Sequence, residues 1–369
     1  MKNDAKDKEF STQADISSIC KELGSEEKIL MKGDNIVGLK LLLSAGFAGK
    51  VDLVYIYPPS AKNLKYAKVA RETKSTASSQ PSAALYKNTI LESKFFKILR
   101  QRLILIRELM SESASIYLHT DYKIGHYIKV MMDEIFGIEN FKNDITRIKC
   151  NPKNSSRNAY GNIKDMILFY TKSSDAIWNS PSDCMDDDEI KRKFGKIDPN
   201  GRRYTTVPIH ASGETKHGKT GEAWRGSLPP IGSHWRCAPS ELDRLDKSGL
   251  IEWSNTGNPR KIVYADECIK SGKRKQDIWE YKDSRCHQYE KNEEMLMDII
   301  RASSNEGSLV LDCFCGSGNT LLAAETLNRN WIGIDNSDIA IEMTENKLKE
   351  HRELDLFSLT SKPYFKITL

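Results

Sequence analysis

The sequence predicts an α/β fold built on one mainly parallel sheet that helices cover on both faces. Three observations support this prediction. Short apolar segments alternate with segments of helical period near both ends of the chain. A glycine-rich turn between an apolar strand and a helix lies only 51 residues from the carboxyl end. Residues 174–283, which differ in composition, separate the two α/β segments.

The composition is typical of a globular protein with a sizeable core. The 369 residues are 39% apolar, a run of about 18 apolar residues is absent, and the first residues lack the apolar core of a signal peptide. We therefore expect a cytoplasmic protein without a membrane segment. The eight cysteines include no C-x-x-C pair, so we predict no metal site and interpret Cys313 and Cys315 as reduced core residues.

Positive charge is concentrated in two stretches. Residues 61–110 contain eleven Lys or Arg against three Glu, and residues 142–164 contain six Lys or Arg against one Asp. Because the net charge of the whole chain is only +5, the remaining residues are acidic on balance. Local basic surface suits a polyanion, most often nucleic acid, although solvated helix faces have the same composition.

The first α/β segment begins with a compact βαβ unit. Residues 28–35 and 50–57 have the pattern of short apolar strands, and residues 36–46 between them have helical period. The second strand runs directly into Pro58 and Pro59. Each proline ring fixes φ and removes a backbone donor, so this strand has a rigid exit from the sheet.

The same alternation continues towards residue 173, and it then breaks. The predicted elements are a loop over 60–88, a helix over 90–110, a strand over 115–121, a helix over 124–137, a basic loop over 142–164 and a strand over 165–171. Residues 174–283 are rich in Gly, Pro and Trp and have no clear repeat. We interpret them as a module inserted between residues 1–173 and residues 284–369.

The last segment includes LVLDCFCGSGNTLLAA, residues 309–324. This sequence has the pattern of a strand, followed by a glycine turn and then by the start of a helix. Gly316 and Gly318 allow a tight turn, and the following helix offers free N–H groups to an anion. Nineteen residues after Gly316, the strand WIGID ends with Asp335, where nucleotide folds carry a ribose-binding carboxylate. Leu321 occupies the place of a third glycine, which disfavours a nicotinamide or flavin cofactor.

Too few residues follow this turn to complete a sheet, so the amino-terminal strands must complete it in a permuted order. The glycine turn and the Pro-Pro exit would then lie at the carboxyl ends of neighbouring strands, where α/β sheets build their ligand crevices.

Several motifs in this order resemble those of amino-type DNA methyltransferases of the β group. DCFCGSG, residues 312–318, resembles their S-adenosylmethionine motif, WIGID resembles their ribose motif, and VDLVYIYPPS, residues 51–60, resembles their catalytic Asp-Pro-Pro-Tyr motif. The resemblance covers nearly the whole chain. It implies a permuted Rossmann-like methyltransferase fold with an inserted target-recognition region at 174–283.

The resemblance also implies S-adenosylmethionine as the cofactor. Asp34, in the turn GDN at 33–35, would bind the 6-amino group of the cofactor's adenine, and Glu290 and Lys291 would lie near its methionine end. The implied cofactor-binding residues are Asp34, Asn35, Glu290, Lys291, Asp312, Phe314, Gly316, Gly318 and Asp335.

The activity implied is methylation of the exocyclic amine of adenine (N6) in double-stranded DNA, within a restriction–modification system. Residues 224–236, WRGSLPPIGSHWR, are similar to adenine-specific members. The target base must leave the duplex before it reacts. The implied partners are double-stranded DNA, a cognate restriction subunit and a second copy of the chain.

Arginines, lysines and aromatic residues are the candidates for contact with DNA. The basic stretches would hold phosphates, and residues 174–283 would read base edges. Trp224 and Trp235 have a second interpretation, as the centre of a small core. The candidate DNA-binding residues are Lys62, Lys65, Arg147, Lys149, Arg225 and Arg236.

The catalytic motif, Tyr57, Pro58, Pro59 and Ser60, departs from the family pattern at both ends. The family has Asp in place of Tyr57 and an aromatic residue in place of Ser60. There, the carboxylate and the carbonyl of the following proline orient the target amine. The phenol of Tyr57 is neutral and accepts a weaker bond. Asp52 does not substitute, because it lies about 16 Å back along the strand and on its other face.

Three functions remain open from the sequence. The chain is an adenine methyltransferase, or a degenerate relative that binds DNA or cofactor without methylating, or a methyltransferase that acts on RNA or protein. The altered motif does not distinguish an adenine amine from a cytosine amine.

Overall fold

The structure, a computed structural model, describes residues 5–9, 20–24, 26–58, 94–151, 158–183, 185–282, 292–354 and 363–369. They divide into two units, Met1–Asn179 together with Gln276–Leu369, and Ser180–Lys275. None of the helices in these ranges has the length and apolar character needed to cross a membrane.

The strands and helices of both units are numbered in chain order. The strands are β1 (Ala5–Glu9), β2 (Lys28–Lys32), β3 (Val51–Ile56), β4 (Met110–Thr120), β5 (Phe141–Ile148), β6 (Lys164–Thr171), β7 (Ser182–Asp183), β8 (Lys196–Ile197), β9 (Arg203–Pro208), β10 (His210–Ser212), β11 (Ser233–Trp235), β12 (Ile251–Trp253), β13 (Pro259–Tyr264), β14 (Lys273–Arg274), β15 (Ile278–Trp279), β16 (Leu309–Asp312), β17 (Asn330–Asp335) and β18 (Tyr364–Thr368). The helices are α1 (Asn35–Ser44), α2 (Lys94–Leu109), α3 (Gly125–Phe136), α4 (Asp187–Lys193), α5 (Pro239–Lys247), α6 (Ala265–Ser271), α7 (Glu293–Ser303), α8 (Asn319–Thr326) and α9 (Asp338–Leu354).

Ten of the described strands form one sheet in the first unit, in the order β1-β18-β2-β17-β16-β3-β4-β6-β5-β15. Among these strands, β6 alone runs antiparallel to its neighbours, β4 and β5. The late strands β16 and β17 lie between the early strands β2 and β3. The predicted mainly parallel sheet in a permuted, Rossmann-like order is therefore confirmed.

Both faces of this sheet are covered. Along β3, Val54 and Ile56 belong to an apolar cluster that includes residues of α1, α2 and α3, whereas Leu53 and Tyr55 belong to a second cluster that includes residues of α7. Successive side chains of a strand point to opposite faces, and a sheet buried on both faces has the continuous apolar strands seen here.

One predicted element is wrong. Residues 142–164 were expected to form a basic loop, but residues 141–148 form strand β5, which pairs with β6. The sequence FKNDITRI lacks the apolar alternation of a typical strand, because its buried side chains include Arg147 as well as Ile145. A charged residue inside the protein requires a partner, and that partner is distant in sequence.

The second unit contains a four-stranded sheet, β12-β13-β9-β8, and the two-stranded sheets β10-β11 and β14-β7 among its described residues. Trp224 and Trp235 are buried in its apolar cluster. Their indole N–H groups donate to the Asp243 carboxylate at 2.8 Å and to the Glu222 carbonyl at 2.9 Å. The interpretation of these tryptophans as a small core is confirmed.

Candidate active site

Four of the predicted site residues lie along one edge of the ten-stranded sheet. Asp34 follows β2, Asp335 ends β17, Asp312 ends β16 and Tyr57 follows β3. Because β2, β17, β16 and β3 are consecutive parallel neighbours, their carboxyl ends lie side by side. An edge of this kind is where α/β sheets bind ligands.

The glycine turn connects β16 to α8. Gly316 and Gly318 have φ angles of 52° and 78°, in the left-handed region that glycine adopts without strain. The N–H of Gly316 donates to Oδ2 of Asp335 at 3.0 Å, and the N–H of Ser337 donates to Oδ1 of the same carboxylate at 3.0 Å. The main chain therefore holds the Asp335 carboxylate beside the turn.

Leu321 shows how the fold accommodates the missing third glycine. That glycine normally allows a helix to pack closely on a strand. Here a Cβ atom at Gly333, in β17, would overlap the Leu321 side chain. The small residue of this helix–strand contact is therefore Gly333 on the strand, and the larger one is Leu321 on the helix. The glycine in WIGID was a sequence signal for this contact, but its role was not predicted.

The turn after β2 is fixed by an arginine from helix α2. Oδ1 of Asp34 accepts hydrogen bonds from the N–H of Ile36 at 2.9 Å and from Nη2 of Arg102 at 2.6 Å. Arg102 also donates from Nε to Oδ1 of Asn35. Nδ2 of Asn35 in turn donates to the carbonyl of Cys313 at 2.8 Å. These bonds connect the turn after β2 to the residue that follows β16.

Tyr57 lies against a buried histidine. Its ring centroid is 4.8 Å from that of His119, at an interplanar angle of 60°. His119 lies near the carboxyl end of β4, where Nδ1 shares a 2.8 Å hydrogen bond with the Tyr55 hydroxyl and Nε2 is 3.4 Å from Oδ2 of Asp165. Pro58 is buried beside Tyr57. Where the family pattern has an aspartate, this chain therefore has the ring of Tyr57, which packs against the buried ring of His119.

Asp165 brings a buried negative charge into this group. Lys149 Nζ lies 2.5 Å from Oδ1, and Arg147 Nη1 lies 3.8 Å from Oδ2. Burial acts to raise the pKa of Asp165, but the hydrogen bonds and charges of His119 and Lys149 outweigh it and hold the pKa well below its usual range. This network could not be predicted from the sequence, because His119 lies on β4, Asp165 lies on β6, and Arg147 and Lys149 lie on or directly after β5.

The structure corrects one predicted DNA contact. Arg147 is fully buried, and its Nε donates to the carbonyl of Tyr281 at 2.9 Å. A phosphate cannot reach a guanidinium that is enclosed in this way, so Arg147 is removed from the candidate phosphate contacts. Lys149 is partly exposed, and its ammonium pairs with Asp165. Six predicted site residues lie outside the described residues: Pro59, Ser60, Lys62, Lys65, Glu290 and Lys291.

The other two candidates lie in the second unit and are exposed. Arg225 Nη2 is 2.5 Å from Oδ2 of Asp246, and Arg236 donates from Nε to the carbonyl of His210 at 3.2 Å. Their contact with DNA stays a prediction.

The sequence around this site matches a known protein family. The profile of the N6_N4_Mtase family, described as DNA methylase, matches residues 51–346. This chain belongs to that DNA methylase family. The match begins at the first residue of β3 and ends within α9, so it contains both the Tyr57 exit and the glycine turn.

The relatives of this chain include restriction–modification proteins. The chain is 41% identical over 312 residues to the Type II methyltransferase M.EcaI of Enterobacter cloacae, which covers 82% of this chain and 65% of that protein. It is 23% identical over 339 residues to the Type III restriction-modification enzyme StyLTI Mod subunit of Salmonella typhimurium, with 82% and 50% covered. The chain thus spans about half to two thirds of the length of these curated relatives. The solved structure of the M1.HpyAVI–SAM complex has a TM-score of 0.44 and 16% identity, covering 86% of this chain and 99% of that one.

Asp312 is a group that titrates near neutral pH. The carboxyl group is buried and accepts a 3.0 Å hydrogen bond from the N–H of Phe314. Burial, with a smaller contribution from the charge of Asp335, raises the pKa of Asp312 to about 7, against the opposing hydrogen bonds of Thr320 and Phe314. Folding therefore favours the neutral form of Asp312 over the charged form, relative to the unfolded chain.

We expect replacement of Asp312 by asparagine to remove a pH dependence of stability. Because the folded pKa is raised, Asp312 stabilises the fold below its unfolded pKa of about 3.9, and this contribution is lost as the pH rises through the folded value near 7. Relative to Asp312→Asn, the free energy of unfolding of the parent should fall by up to about 4 kcal/mol over this window. Denaturant titrations at several pH values measure the difference, and a difference independent of pH would contradict the assignment.

Proposed function

We propose that this DNA methylase transfers the methyl group of S-adenosylmethionine to the exocyclic amine (N6) of adenine in a specific sequence of double-stranded DNA, within a restriction–modification system. One observation carries the proposal. Strands β16 and β3 are adjacent and parallel, so the glycine turn after β16 and the residues Tyr57 and Pro58 after β3 lie at the same edge of the sheet. Membership of the DNA methylase family supports DNA as the substrate, and the similarity to the StyLTI Mod subunit, part of a restriction-modification enzyme, supports a restriction–modification system.

The described residues fit S-adenosylmethionine as the cofactor. A Cβ at Gly318 would lie 2.6 Å from Thr344, so this turn admits glycine alone, and its main chain can approach a ligand closely. The Asp335 carboxylate at the end of β17 suits ribose hydroxyls, and Asp34 suits an adenine amine. Asn35, Asp312 and Phe314 complete the described set. When bound, the cofactor supplies an electrophilic methyl group on its sulfonium.

In the proposed mechanism, a main-chain carbonyl rather than a side chain orients the target amine. The carbonyl of Pro58 would accept an amine N–H and turn the nitrogen lone pair towards the methyl group. The rigid Pro-Pro sequence fixes that carbonyl. Tyr57 would serve as a stacking surface for the flipped base, since its ring is held by His119 and aromatic rings stack on extruded bases.

The remaining parts of the proposal concern the partners. Residues 174–283 would read base edges through side chains such as Arg225 and Arg236, and Lys62, Lys65 and Lys149 would contact phosphates. A restriction subunit and a second copy of the chain are further proposed partners. The roles of Glu290 and Lys291 at the methionine end of the cofactor belong to the same proposal.

One observation favours a second candidate function, a relative that binds DNA or cofactor without methylating. Tyr57 supplies no negative charge where the family has a carboxylate, and its ring packs against His119 in the space beside Pro58. A charge-assisted hydrogen bond is worth about 1.5–3 kcal/mol, so its loss slows the transfer step roughly 10- to 150-fold.

Calorimetric titration with S-adenosylmethionine tests the cofactor site on which the enzyme and the cofactor-binding relative both depend. We expect the purified chain to bind the cofactor with a stoichiometry near one. No heat of binding under conditions where the chain is folded would exclude the enzyme and the cofactor-binding relative together.

A further inference from the structure

We propose that Arg102 is the positioning residue that makes the cofactor site specific for an adenine base. This inference rests on the proposed function, because it concerns how Asp34 meets the cofactor. Arg102 is nearly enclosed, with 10% of its side chain exposed, whereas 58% of the Asp34 side chain is exposed at the edge of the sheet. The arginine therefore acts from behind the turn, and the aspartate faces the site.

The hydrogen bonds define which oxygen of Asp34 is available. Both bonds that the described residues make to this carboxylate, from Arg102 and from Ile36, end on Oδ1. Oδ2 is thereby left to accept a bond from a ligand. A ligand with an amino group satisfies this acceptor, whereas a ligand with a carbonyl at the same place repels it. This is the difference between the 6-amino group of adenine and the 6-keto group of hypoxanthine.

Arg102 is held so that it fixes this orientation. Its Nη1 donates to the carbonyl of Ile98 at 3.1 Å, one turn back in helix α2, while Nε and Nη2 reach Asn35 and Asp34. The planar guanidinium thus binds three acceptors at once, which the single ammonium of a lysine cannot reproduce in the same geometry. Its charge also strengthens the hydrogen bond from Nη2 to Oδ1 of Asp34.

The test compares the binding of S-adenosylhomocysteine with that of S-inosylhomocysteine, which differ at the 6-position. We expect the parent to prefer the adenine compound by about 10- to 100-fold, the range of one charge-assisted hydrogen bond. In Arg102→Met this ratio should fall to about threefold or less, and Arg102→Lys should recover only part of it. Arg100→Met is the matched control, because Arg100 lies on the same helix but is exposed and pairs with Glu134 at 2.5 Å.

The variant Asp34→Asn tests whether Arg102 acts through the Asp34 carboxylate or by stabilising the fold in general. The variant should lose the preference for the adenine compound, and Arg102→Met added to it should leave the ratio unchanged. If Arg102→Met weakens both compounds equally and keeps the parent's ratio, the inference is overturned while the proposed function stands. If the folded parent binds neither compound, the proposed function fails and the inference fails with it. Circular dichroism of each variant establishes that it is folded.

Discussion

Replacing Tyr57 with aspartate is expected to raise the rate of methyl transfer roughly 10- to 150-fold. The substitution restores a charged acceptor beside the Pro58 carbonyl, which stabilises the positive charge that develops on the target nitrogen. Single-turnover transfer of a labelled methyl group, with saturating DNA and cofactor, measures the chemical step.

Tyr57→Asn is the matched control for this substitution. It removes the same ring and uncovers His119 to the same extent, but it adds no charge. We expect the Asn variant to transfer the methyl group more slowly than the Asp variant, so that the ratio of the two rates reports the carboxylate alone. Equal rates for both variants would show that the bulk of Tyr57, rather than the missing charge, limits the parent.

Replacing Gly318 with alanine is expected to weaken cofactor binding about 10- to 100-fold. An added Cβ would lie 2.6 Å from both Oγ1 and Cγ2 of the buried Thr344. Thr344 in turn donates to the carbonyl of Gly316 at 3.1 Å, so displacing it would disturb the turn from both ends. The positive φ of 78° adds backbone strain. Calorimetry with S-adenosylmethionine measures the loss.

Gly307→Ala separates strain from contact. Gly307 has the same φ of 78°, but a Cβ there would meet no heavy atom within 4 Å. We expect it to lower the melting temperature while leaving cofactor affinity near the parent value. If both variants bind the cofactor equally well, the space beside Thr344 does not shape the site.

Much of the sheet could be predicted because its strands have local signals. The apolar runs of β3 and β16, and the glycines at 316 and 318, mark a strand exit and a tight turn within a few residues. The permuted order was predicted from the order of the two motifs, since the Pro-Pro exit precedes the glycine turn along the chain. These features depend on neighbours in sequence, which is what periodicity reports.

The missed features depend on neighbours in space. Arg102 lies on a helix whose apolar face was predicted, yet its partner Asp34 is 68 residues away. Strand β5 contains a buried arginine that pairs with Asp165 and bonds to Tyr281. A polar residue in a sequence gives no sign of such partners, so both the strand and the roles of these side chains were hidden.

The most direct test of the central claim is transfer of a labelled methyl group from S-adenosylmethionine to plasmid DNA by the purified parent chain, followed by digestion and separation of the nucleosides. We predict slow incorporation of label into N6-methyladenine, confined to one sequence, with a faster rate for Tyr57→Asp. Label in a cytosine would contradict the adenine assignment. No label in DNA from the parent, while the same preparation binds cofactor, would contradict the claim that this chain is an active methyltransferase.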